Sequence, residues 1–174
     1  MALIPNDIPT YLAWRFDSVV PGSFRRNKAD YAHIDFPILA PLPTRKASTP
    51  PIEGGAVLGP FIYFVVDASQ SVHYVEKSEE KTVVKRWVRP GIGGPSTHYW
   101  THTNKMAGCI RRIAEGIQRG GGPFQLRFAA ASNVPAGYIS QFVQQYPSLG
   151  RLDQTEKGFM SLLRPAWNDP KSYR

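Results

Sequence analysis

The chain has 174 residues and a mass of 19.4 kDa, the size of one domain with room for an arm, and 42% of its residues are hydrophobic, enough to build a core. Charged residues make up 20%, which excludes wholesale disorder, and no apolar run reaches the roughly 18 residues of a membrane-spanning helix. The single cysteine, Cys109, excludes an internal disulfide framework and a multi-cysteine zinc site. The first residues carry acids early and show no basic stretch followed by an apolar one, so they do not read as a secretory signal and the expected location is cytoplasmic, with no membrane partner.

Twenty-one basic residues face 13 acidic ones, for a net charge of +8. The excess concentrates in residues 58–130, where 10 Lys and Arg stand against 5 Asp and Glu. Such a surface attracts polyanions, nucleic acid first among them, although the same charge also serves plain solubility.

In chain order, residues 1–57 read as an N-terminal arm that packs on the domain or on a partner, followed by a domain at 58–174. Six prolines between Pro37 and Pro60 forbid helix there and restrict strands to edges, while Tyr11, Trp14, Phe16, Phe24 and Phe36 give the arm something to pack with. Residues 61–66, FIYFVV, are β-branched and aromatic, and 71–75, SVHYV, alternate, so they predict a hairpin closed by Asp67–Gln70. Pairing Val66 with Ser71 sets Tyr63 directly opposite Tyr74. A helix is expected from Ser78 as N-cap to Pro90-Gly91, with a basic stripe at Lys81, Lys85 and Arg89 and Arg86 beside it. A Gly-rich loop holding His98 and His102 leads to a second helix at about 104–119, striped with Met106, Ile110, Ile113 and Ile117 and ended by Gly120-Gly121-Gly122. A half-buried strand is expected at 123–130, a third helix after Pro135 with Ile139, Phe142, Val143 and Tyr146 inward, and a last helix from Asp153 to about Leu163. The expected fold class is α+β: a small antiparallel sheet, made of the hairpin plus a third strand, covered by helices, with a proline-rich arm.

A hairpin carrying a tyrosine on each strand and leading into an arginine-bearing helix resembles the GIY-YIG nuclease family. The first motif stands as Phe61-Ile62-Tyr63 and the second as Tyr74-Val75-Glu76, eleven residues apart from tyrosine to tyrosine, with Lys77-Ser78 following. Arg86 lies twelve residues after Tyr74; near the C-terminus come Glu156, the apolar pair Leu162-Leu163, Pro165, and Trp167-Asn168. The resemblance covers about residues 58–170. It implies a small, stand-alone, restriction-type endonuclease that hydrolyses phosphodiesters of duplex DNA with Mg²⁺ or Mn²⁺ held by Glu156. In that scheme Tyr63 and Tyr74 contact the attacking water and the scissile phosphate, with Tyr63 as the general base. Arg86 grips phosphate oxygens, and a histidine near the water is His98 in preference to His102. Asn168 either orients the site or caps a turn after Pro165.

The residue chemistry agrees with that scheme on its own terms. Phosphodiester hydrolysis needs a hard cation, an activated water and positive charge on the crowded phosphorus. Glu156 shares a helical face with Phe159, Met160 and Leu163, so it points inward; a capping box with Asp153 is the other use for it. The rival carboxylate, Glu115, lies about 140° around its helix from Ile110 and is bracketed by Arg111 and Arg119, as in an exposed salt-bridge ladder. Lys77, Lys85 and Arg89 read as DNA-backbone contacts. One site cuts one strand, so a double-strand cut calls for a homodimer or two visits.

One position departs from the family pattern. Where the second motif ends in glycine, this chain has Glu76, a carboxylate that adds like charge beside the phosphate site. It points away, serves as an extra metal ligand, or weakens catalysis. In the last case the chain is a catalytically impaired nucleic-acid-binding module keeping the fold. A protein-interaction domain with incidental charge is a third class.

Overall fold

The computed structural model describes residues 2–20, 23–25, 33–35, 38–40, 51–83 and 109–173. At its centre is a four-stranded antiparallel sheet made of β1 (Tyr11–Phe16), β6 (Phe61–Val66), β7 (Val72–Ser78) and β8 (Phe124–Ala130), in the spatial order β1-β8-β6-β7. Two short antiparallel pairs fall between β1 and β6 in sequence: β2 (Ser18–Val20) with β5 (Ile38–Ala40), and nested inside them β3 (Ser23–Arg25) with β4 (His33–Asp35). Three helices are described: α1 (Cys109–Gln118), α2 (Ala136–Gln145) and α3 (Arg151–Leu163). The fold is therefore mixed α+β, and no helix among the described residues is long and apolar enough to cross a membrane.

The apolar run FIYFVV is continuous because β6 is buried on both faces, every residue of it. On one face Phe61, Tyr63 and Val65 pack with Trp14, Phe16, Phe124, Leu126 and Phe128, covered by Ile113 and Ala114 of α1. On the other, Ile62, Phe64 and Val66 pack with Val72 and Val75 under Phe142 of α2 and Phe159, Met160 and Leu163 of α3. The result is a sheet between a one-helix layer and a two-helix layer, each large side chain contributing about 1.5–3 kcal/mol by leaving water. α1 ends where Gly120 takes a φ of +79°: its N–H reaches the Ile117 carbonyl and that of Gly121 the Gly116 carbonyl, both at 2.9 Å. α2 and α3 touch closely because Gly158 has no Cβ; one placed there would lie 2.1 Å from the Phe142 ring.

Several local expectations are corrected. The fourth strand of the sheet, β1, comes from the segment read as arm. Its apolar pattern pairs with β8, a partner about a hundred residues away that no local signal announces. The hairpin register differs too. Asp67 Oδ1 accepts the Ser69 and Ser71 amides at 2.9 and 3.0 Å, and Gln70 sits at a φ of 64°, so the loop closes Asp67 against Ser71. A bulge then inserts His73 between the Val66–Val72 and Val65–Tyr74 pairs. Tyr63 consequently faces Glu76, not Tyr74. Ser78 ends β7 opposite Phe61 rather than capping a helix directly, residues 79–82 are not helical, and helical backbone first appears at Val83. Val143 is 40% exposed rather than inward. α3 begins at Arg151 with Gly150 as its N-cap, which places Asp153 inside the first turn and removes the capping-box role for Glu156.

Candidate active site

The site is built on the outer edge of β7. An edge strand leaves alternate backbone groups unpaired, and here one backbone amide and two side chains from the C-terminal third meet them. Trp167 N–H donates to the His73 carbonyl at 2.8 Å. Asn168 grips Val75 twice, accepting its N–H at 2.9 Å through Oδ1 and donating to its carbonyl at 2.7 Å through Nδ2. Glu156 Oε1 accepts the Lys77 N–H at 3.3 Å. Asn168 thus fixes the segment after α3 against the strand, and its own N–H also closes a turn onto the Pro165 carbonyl at 3.3 Å.

The bulge turns His73 toward the same face as Tyr74. Its ring packs against Trp167 and Phe124, with centroids 4.9 and 5.6 Å away, and its Nε2 lies 2.8 Å from Asp67 Oδ2. Burial works against the Asp67 carboxylate, but hydrogen bonds from His73, Ser69 and Ser71 outweigh it and hold the group below its usual range.

Three residues along from the bulge, Glu76 receives two phenols on one oxygen: Tyr63 Oη donates to Oε2, and Tyr74 Oη donates to it at 2.8 Å. The two rings lie 6.4 Å apart, diagonal across the hairpin. Tyr63 is only 1% exposed, however, and lies behind Glu76 in the core.

Beyond this edge opens a pocket of about 770 Å³ lined by Tyr74, Glu76, Arg112, Glu156, Trp167 and Asn168 together with its C-terminal rim. Arg112 comes from α1 on one face of the sheet and donates through Nη1 to the Trp167 carbonyl. Glu156 comes from α3 on the other face. The two meet only past the strand edge, where neither layer of helices is separated from the other by the sheet. Glu156 is pushed up to about 7, first by burial and then by the charge of Glu76, against the opposing pull of Lys77 and its N–H. Lys77 itself forms an ion pair with Asp153 at 2.5 Å. Burial opposes its charge, but the Asp153 hydrogen bond and the surrounding carboxylates win and raise it. Among the described residues, no group of three or more His, Cys, Asp or Glu side chains is set to hold a metal.

Comparison with family models, with curated proteins and with solved structures finds no match for this chain. Of the residues singled out in the sequence, Tyr74, Glu76, Glu156 and Asn168 line the pocket, Tyr63 reaches it through Glu76, and Lys77 meets it through its backbone N–H on Glu156. Arg86, His98, Lys85 and Arg89 lie outside the described residues. Glu115 pairs with Arg119 at 3.9 Å, away from the pocket lining. Arg112 was not distinguished by the sequence: it flanks the Ile113–Ile117 stripe as many surface arginines do, and its contact with Trp167 spans 55 residues.

Proposed function

We propose that the chain is a metal-dependent endonuclease acting on duplex DNA, with the pocket at the β7 edge as its active site. The observation that carries this reading is the company kept there. A phenol, two glutamate carboxylates and a guanidinium from three separate segments line one open pocket on a chain with a net charge of +8. A polyanion is drawn by the charge, and a phosphodiester can use each of those groups.

The donor set fits a hard divalent cation. Glu156 is an oxygen donor held in place by a backbone N–H, and its raised value reflects burial beside a second negative charge, an imbalance that a cation removes. Glu156 would hold Mg²⁺ or Mn²⁺, with water completing the shell. Such an ion supplies Lewis-acid stabilisation of the charge that builds on phosphorus oxygens.

The chain's own residues divide the remaining work. Arg112 is permanently charged, and with Nη1 on the Trp167 carbonyl its guanidinium is aimed into the pocket as a donor fork for phosphate oxygens. Tyr74 stands at the wall beside it. Asn168 locks the segment that carries Trp167, and so positions Arg112 at second hand. A homodimer is the simplest route to a double-strand cut.

The test is cleavage of supercoiled plasmid and of linear DNA of varied sequence with Mg²⁺ or Mn²⁺, wild type beside Glu156→Gln and Arg112→Ala. Metal-dependent nicking that both variants lose supports the reading. Cleavage that persists in both would place the chemistry elsewhere.

A further inference from the structure

We infer that Glu76, at the position where the nuclease motif has glycine, is the general base of this site, and that Tyr63 and Tyr74 hold it rather than meet the water themselves. The inference rests on the nuclease reading above and names the group that reading leaves open.

Three observations carry it. Tyr63 is 1% exposed and is not among the residues lining the pocket, so its hydroxyl does not meet a water there. Its proton is directed at Glu76 Oε2, which also takes the Tyr74 proton at 2.8 Å. Glu76 does line the pocket, together with Glu156 and Arg112. Two donors on one oxygen fix the carboxylate's rotamer and leave its orientation toward the pocket defined, which is what a base needs before its pKa matters. The register explains why the arrangement exists: Tyr63 and Glu76 are direct cross-strand partners.

The step balances without further reactants. As the water oxygen bonds to phosphorus, Glu76 takes one of its protons. The bond from phosphorus to the leaving sugar oxygen breaks, that oxygen takes a proton from solvent, and Glu76 returns its proton to solvent.

The experiment measures hydrolysis of plasmid DNA and of bis(4-nitrophenyl) phosphate, a diester free of sequence demands, with Mn²⁺ by wild type, Glu76→Gln, Glu76→Gly and Tyr63→Phe. DNA binding is read by fluorescence anisotropy in EDTA. Glu76→Gln is expected to lower kcat by about 10²–10⁴-fold while KM and DNA binding stay near wild type. Tyr63→Phe is expected to lose less than about tenfold, since Tyr74 still orients the base. Added formate is expected to restore part of the activity of Glu76→Gly, which a merely structural role would not allow. An active wild type with an equally active Glu76→Gln overturns the base and leaves the nuclease standing. A Glu76→Gly more active than wild type without formate overturns it as well, and marks Glu76 as an obstruction. A wild type silent on both substrates removes the nuclease reading and the base together.

Discussion

The two edges of the central sheet are finished in different ways. At β1 the outer edge is met by backbone: the Ile52 N–H donates to the Ala13 carbonyl at 3.0 Å and the Glu53 N–H to the Leu12 carbonyl at 2.8 Å. One side chain adds to this, Glu53 Oε2 accepting the Leu12 N–H at 2.9 Å. At β7 the corresponding groups are met largely by side chains, Asn168 and Glu156, brought from a segment about 80 to 90 residues away. Backbone closure satisfies an edge and leaves nothing over. Side-chain closure satisfies it with groups that keep a second oxygen or a neighbouring cation facing outward, and the pocket lies there.

Of the changes that compare the two edges, Glu156→Gln gives the largest expected effect. It keeps an oxygen for the Lys77 N–H but loses the charge, so metal-dependent cleavage falls by about 10²–10³-fold or more. Stability moves the other way. The folded chain holds the Glu156 proton up to about 7 while the unfolded chain releases it near 4.5, so metal-free wild type loses stability as pH rises through that window. Above it, Glu156→Gln should be the more stable protein by on the order of 2 kcal/mol, allowing for solvent at the pocket mouth, and below the unfolded value the gap should close. Thermal melts across pH measure it. At pH 8, Mn²⁺ should raise the wild-type Tm and leave that of the variant unmoved.

Asn168→Ala comes next. It strips both Val75 backbone groups of their partner, which costs about 1–3 kcal/mol in urea unfolding. It also frees the segment that holds Arg112, so cleavage falls about ten- to a hundredfold. Glu53→Ala is the matched change at the other edge and the smallest. It should cost less than about 1 kcal/mol, since the backbone bonds remain and the side chain is half exposed. Cleavage should be unchanged. An equal effect at the two edges would erase the distinction between them.

The sequence made the local part of this architecture legible. The apolar run of β6, the alternation of β8 and the stripes of α1 and α3 follow from side-chain periodicity, and the Gly120-Gly121 stop follows from backbone freedom. What escaped depended on distant or irregular geometry. The pairing of β1 with β8 has no local signature. The bulge at His73 and the Asp67-centred loop together moved the hairpin register by two, which kept Tyr63 and Tyr74 on one face but replaced one by Glu76 as cross-strand partner. That shift matters most for the site. Read beside Tyr74 alone, Glu76 is a like charge intruding on a phosphate. Read opposite Tyr63, it is the acceptor of two phenolic protons. Arg112 was hidden for a different reason, because a cation at the border of a helical stripe becomes a site residue only when another segment folds over it.

The most direct test of the account places the cation. Mn²⁺ titrated into ¹⁵N-labelled protein, with plasmid cleavage measured on the same sample, should broaden the amide resonances of Glu76, Lys77, Glu156 and Asn168 first, with cleavage rising in step. The same titration of Glu156→Gln should leave those resonances sharp. Cleavage that rises while the β7 edge stays sharp, or broadening centred elsewhere in the molecule, would contradict the claim that this edge is the active site.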